Sequence, residues 1–157
     1  MKNNITFLKI KQKFNGQHLE DVPGEIEKEF HRIGLDKKIR PGMKIAITAG
    51  SRGIDNIIKI LQSIIKEVKK MRADPFIVTA MGSHGGATAE GQRQVLSHYG
   101  ITEKSMGVPI KATMDTVQID FLENGLPVHF DRIAFHADGI IAVNRVKVHT
   151  AFKGKIE

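Results

Sequence analysis

Hydrophobic positions along this chain change their spacing several times, and each change marks an element. Ile5 to Phe14 alternates apolar with polar residues and is rich in lysine, which predicts an edge strand whose lysines discourage unwanted pairing. From Pro23 to Gly34 the period becomes helical: Ile26, Phe30 and Ile33 share one face, proline suits the start and glycine the stop. Arg40-Pro41-Gly42 is a turn signal, and Met43 to Ala49 is an apolar run ending in Gly50-Ser51-Arg52-Gly53. Ile54 to Met71 then reads as a long amphipathic helix, with Ile57, Leu61, Ile64, Ile65 and Val68 on one side and lysines opposite. The same layout recurs at once. Phe76 to Ala80, after Pro75, is a short β-branched run that predicts a buried parallel strand, and Gly82-Ser83-His84-Gly85-Gly86 comes after it as a loop. Thr88 is the expected N-cap of a helix that runs to Tyr99 and is closed by Gly100.

Further on, Val117, Ile119 and Phe121 alternate with polar residues, Glu123-Asn124-Gly125 makes a hairpin turn, and Leu126 to Phe130 forms the returning strand. Phe135 to Asp138 reads as a short connection. Gly139 to Asn144 is again a buried apolar strand, leading into a polar loop that runs from Asn144 to Thr150. The predicted class is α/β: a mainly parallel, Rossmann-like sheet with helices on both faces and a small antiparallel hairpin. Consecutive strand–loop–helix units imply parallel strands joined by right-handed crossovers, so their glycine loops fall on one edge of the sheet. Ser51, Arg52, Ser83 and His84 are then within reach of one ligand, at the edge where open α/β sheets bind theirs. The loop after Asn144 joins the same edge.

Composition narrows the setting. A chain of 157 residues suffices for one domain with a core, and no apolar run is long enough to span a bilayer. Nothing at the N-terminus resembles a signal peptide, and the absence of cysteine fits a reducing compartment, so the expectation is cytoplasmic with no membrane partner. A net charge of +7 raises the question of nucleic acid. The lysines, however, are scattered as pairs, Lys37-Lys38 and Lys69-Lys70, without interleaved aromatics or a groove-reading motif, so no nucleic-acid partner is expected. The chain stops at Lys153-Gly154-Lys155-Ile156-Glu157, just past a strand and a loop, which predicts a piece of a longer protein.

His84 and His149 each come after a buried strand in a loop expected to face one cleft. Imidazole, with an unperturbed pKa of about 6.5, gives and takes protons near neutrality, so a facing pair can act as base on one side and acid on the other. The simpler alternative for each is a loop histidine bonded to backbone. Arg52, between serine and glycine, offers a planar pair of donors for a carboxylate or phosphate. Ser51, Ser83 and the backbone of Gly82 and Gly85 suit an anion as well. Neither the nucleophile elbow G-x-S-x-G nor a phosphate-loop motif occurs, and no spacing motif points to a metal held by side chains. On these residues alone an enzyme and a non-catalytic nucleotide- or phosphate-binding module both remain open.

Three stretches in this order, ITAGSRGI at Ile47 to Ile54, VTAMGSHGGATAEGQ at Val78 to Gln92 and VNRVKVHTAFKGKIE at Val143 to Glu157, resemble the N-terminal domain of the nickel-dependent lactate racemase family. The first loop reads GSRG where lactate racemases carry an acidic residue and a threonine near the arginine, so the resemblance is to a homologue rather than to the lactate enzyme itself. It implies a two-domain enzyme, of which this is the N-terminal domain, inactive on its own. It also implies a nickel-pincer nucleotide as cofactor, with nickel held by carbon and sulfur, and a 2-hydroxy acid as substrate. Hydride transfer to that cofactor would accompany proton transfer by two histidines, matched here by His84 and His149. Arg52 matches the arginine that orients anionic groups. The cofactor-tethering lysine falls in the region of Lys153 and Lys155 or past Glu157, and the nickel-ligating histidine falls beyond this sequence.

Overall fold

A computed structural model describes residues 8–11, 13, 16 and 18–146 of the chain. The helix expected at Pro23 is α1, Val22–Arg32, capped by the Asp21 side chain, which accepts a hydrogen bond from the Gly24 N–H at 3.0 Å. A short helix, α2 (Leu35–Lys38), leads to β1 (Lys44–Ala49). The next helix, α3 (Ile57–Lys70), starts three residues later than the apolar pattern implies, because Asn56 adopts a left-handed conformation (φ 57°) that closes the preceding turn. Strand β2 (Asp74–Thr79) comes next, and α4 (Ala89–His98) is capped by Thr88 as expected, with the Gly91 N–H donating to its Oγ1 at 3.0 Å.

Beyond α4 lie two elements that the pattern did not disclose, α5 (Glu103–Met106) and β3 (Ile110–Lys111). The hairpin is present as β4 (Thr116–Phe121) and β5 (Pro127–Asp131), with a register shift between Gln118 and Asp120. The expected connection before Asp138 is partly helical, as α6 (Arg132–Phe135). The last strand, β6, covers only Gly139–Ile141 of the run expected to reach Asn144. One expectation fails on the described residues: Leu8 to Lys11 and Lys13 form no strand, and Leu8 and Ile10 stand 82% and 85% exposed. Alternation prepares a strand but needs a partner edge to hold it. The remainder of Ile5 to Phe14 lies outside the described residues.

The main sheet has the order β3-β2-β1-β6 and every pair in it is parallel; β4 and β5 form a separate antiparallel pair. Pro75 is tolerated at the start of β2 because β3 pairs only with Ile77 and Val78, leaving no neighbour on that side to need its missing N–H. The two-residue side-chain period divides the strands between two cores. Ile45, Ile47, Ala49 and Ile77 join Phe30 of α1, Leu61 and Val68 of α3, Leu96 of α4 and Met106 of α5. Ala46, Phe76 and Val78 meet only Ala134 of α6, with Phe130, Ile133 and Ala137 beside them. Handedness accounts for this division. The chain runs β1, β2, β3 in one direction with its crossovers on one face, then returns past β1 to β6, and a right-handed return must cross on the opposite face.

Candidate active site

Because β1, β2 and β6 are parallel and in register, the loops after all three emerge at one edge. The Ala80 N–H bonds to the Ala49 carbonyl at 2.9 Å, so the first two loops leave the sheet side by side. Where β6 should continue along β1, the ladder stops at the Ile47–Ile141 pair. There the Thr48 hydroxyl takes over: it accepts from the Val143 N–H at 2.8 Å and lies 3.3 Å from the Val143 carbonyl as donor. A side chain thus stands in for the backbone ladder, and the two strands part. The parting falls where the strand order reverses, the position at which open α/β sheets bind ligands.

The second loop is held from beneath. Gly82, Gly85 and Gly86 have φ of 60°, 66° and 68°, a region that suits glycine. At Gly85 the requirement is also steric, since a Cβ there would lie 2.5 Å from the Gly91 backbone in the first turn of α4. The loop is therefore seated on the N-terminal end of that helix through Gly85–Ala87, a single 3-10 turn. Gln92 is buried in α4; its Oε1 accepts from the Thr79 hydroxyl at 2.7 Å and its Nε2 donates to the Gly82 carbonyl at 2.8 Å. One side chain thus ties the end of β2 to the start of the loop.

On this frame His84 meets the first loop, with its Nδ1 2.5 Å from the Ser51 Oγ. The Tyr99 hydroxyl, at the end of α4, donates to the Ser51 carbonyl at 2.8 Å. Arg145 reaches back from the third loop to donate to the Gly53 carbonyl at 3.3 Å. Of the residues expected at the site, Ser51 and His84 are in contact, and Arg52 and Ser83 are their exposed chain neighbours. His149, Lys153 and Lys155 lie outside the described residues, so the expected pairing of His84 with His149 is not on view. The sequence pattern assigns no role to Thr48, Tyr99 or Gln92. Tyr99 is the sole tyrosine, and Gln92 is a polar residue at a position the helix buries; these were the available signals.

Beside the loop, on the sheet face covered by α6, is a cleft of about 600 Å³. Its wall runs from Gly82 and Met81 past Thr48 to Phe130, Asp115 and Asp131. Its size lies in the usual range for small-molecule sites. Asp115 and Asp131 make its lining acidic, whereas the guanidinium groups of Arg52 and Arg145 belong to the loops. An anionic group is therefore favoured at the loops, and an uncharged or cationic one in the cleft. Among the described residues, no group of three or more histidine, aspartate or glutamate side chains is gathered to hold a metal. None of the helices described is long and apolar enough to cross a membrane.

In comparison with known proteins, the family model described as lactate racemase N-terminal domain matches residues 4–154. No curated protein and no solved structure matches the chain.

Proposed function

The chain belongs to the lactate racemase N-terminal domain family, and from that premise we propose that it is the cofactor- and substrate-binding part of a racemase or epimerase of a 2-hydroxy acid. The observation that carries this reading is the contact between His84 and Ser51, which puts a proton-transfer group at the carboxyl edge of the sheet. Racemisation needs one such group on each side of a planar centre. His84 serves one side, taking the hydroxyl proton of one enantiomer, and His149 returns a proton on the other. Arg52 holds the substrate carboxylate by paired donors.

The loops fit a phosphate-bearing cofactor: glycines of positive φ bring backbone close to a ligand, and Arg52 and Arg145 supply charge. A nickel-pincer nucleotide bound there would supply a hydride acceptor beside the substrate. Ser83, Gly82 and Gly85 would hold its phosphate, with Lys153 or Lys155 as candidate tethers. A second domain of a longer cytoplasmic protein closes the cleft, and the partner is a small 2-hydroxy acid rather than nucleic acid. The isolated domain is inactive in this reading.

The test uses the full-length protein loaded with cofactor and a panel of 2-hydroxy acids. His84→Ala is expected to lower turnover about 10²- to 10⁴-fold with little loss of substrate binding. Unchanged turnover would remove His84 from the chemistry. Absence of racemisation in the parent protein, with nucleotide affinity untouched by the substitution, would favour a binding module instead.

A further inference from the structure

We propose that Ser51 is a positioning residue for His84: its Oγ accepts a hydrogen bond from Nδ1–H and so fixes the tautomer that keeps the Nε2 lone pair available for proton transfer. This rests on the reading of His84 as an acid/base, but the hydrogen bond itself can be tested without any turnover.

The separation of 2.5 Å leaves no space between the two side chains for a phosphate oxygen or a water. The contact between hydroxyl and imidazole is thus direct, and a hydroxyl that accepts from the ring keeps its own O–H free to donate to a bound anion. A neutral imidazole has one donor and one acceptor nitrogen, and the bond made by one decides the state of the other. A serine hydroxyl can take either role, and the two arrangements have different consequences. If Ser51 donates, Nε2 carries the proton of the neutral ring. Protonation of His84 would then turn Nδ1 into a donor and force the hydroxyl to rotate. If Ser51 accepts, Nδ1–H stays in place in both charge states and only Nε2 changes. A group that gains and loses a proton in every turnover is held throughout by the second arrangement alone.

The surroundings support a fixed partner. Ser51 is anchored by Tyr99 through its carbonyl, and the His84 backbone N–H bonds to the Met81 carbonyl at 3.2 Å. Gln92 fixes Gly82 between them. The contact therefore joins two loops that are each tied down independently. Among the described residues the Nε2 of His84 makes no hydrogen bond, and the ring is exposed.

The experiment is ¹⁵N NMR of the full-length protein with labelled imidazole nitrogens, His84→Gln identifying the resonances of residue 84. Above the pH at which the ring titrates, the expected spectrum has Nδ1 protonated and Nε2 bare. Ser51→Ala should shift the population toward Nε2–H, and Ser51→Thr, which keeps the hydroxyl, should restore the parent pattern. A parent spectrum dominated by Nε2–H overturns the proposal whatever the variants do, and so does a Ser51→Ala spectrum identical to the parent. In the loaded enzyme Ser51→Ala should lower kcat by about 10- to 100-fold, the scale known for hydrogen-bond partners that orient a ligating imidazole, with a smaller change in KM. A parent protein without turnover would count against the acid/base reading and leave the NMR result standing.

Discussion

The two faces of the sheet are built to different depths. On one, α1, α3, α4 and α5 close over β1 and β2 until Ile47, Leu61, Ile77 and Leu96 are fully buried. On the other, α6 and the hairpin cover only Ala46, Phe76 and Val78, with Lys111 laid over the Phe76 ring at 4.4 Å, and a cleft remains beside them. The contrast amounts to a division of labour. The deep face carries stability and sets the height of the loops, while the shallow face and the rim above it are left open. Exposed Phe121, Leu122 and Leu126 at the hairpin belong to the same shallow side.

Substitutions that separate the two roles put this division at risk. The largest effect is expected for His84→Ala: a loss of turnover of about 10²- to 10⁴-fold in the full-length enzyme, with a melting temperature close to that of the parent, because the ring is exposed. A large fall in melting temperature would show that the rim carries stability after all. Next in size is Leu96→Ala on the deep face, expected to cost about 2–5 kcal/mol in urea unfolding. Ile140→Ala, on the shallow face and 42% exposed, should cost well under half as much. Equal costs would erase the distinction. Gln92→Leu should cost about 1–3 kcal/mol by stranding the Thr79 hydroxyl and the Gly82 carbonyl. It should also slow turnover, since the loop bearing His84 loses its tie.

The smallest effect concerns Lys70, which bridges Glu27 of α1 and Glu67 of α3 at 2.8 Å each. Its hydrogen bond and charge hold the exposed Glu27 carboxyl below the ordinary value of 4.5, and the same bond raises the Lys70 ammonium above 10.5. A lowered carboxyl contributes stability above the unfolded value and loses it as pH falls; a raised ammonium contributes below its unfolded value and loses it as pH rises. Glu27→Gln, which breaks only the exposed half of this bridge and leaves Lys70 on the buried Glu67, should therefore lower the melting temperature slightly between those limits and least in acid.

Much of the fold was legible because period and punctuation agreed. Pro23 and Gly34 bracket α1, and Thr88 caps α4 where its hydroxyl suggests. What escaped was too short to show a period. β3 has two residues, and α5 is four residues held by the Thr102–Ser105 capping box. β6 was overestimated for a different reason: its apolar run continues, but Thr48 ends the ladder, and a hydrogen bond across 95 positions leaves no local trace. The gathering of the loops that carry Ser51, Arg52, Ser83 and His84 at one edge of the sheet was legible from their place after the strands. The supports, Gln92 and Tyr99, were not, because their roles depend on which way α4 faces.

The most direct measurement is the position of both imidazoles in a structure of the full-length protein with a 2-hydroxy acid bound. The expected result has His84 and His149 on opposite sides of the substrate, each about 2.6–3.2 Å from the position of its hydroxyl oxygen or one water away. His149 on the other rim of the sheet, or enclosed by aliphatic side chains, would contradict it.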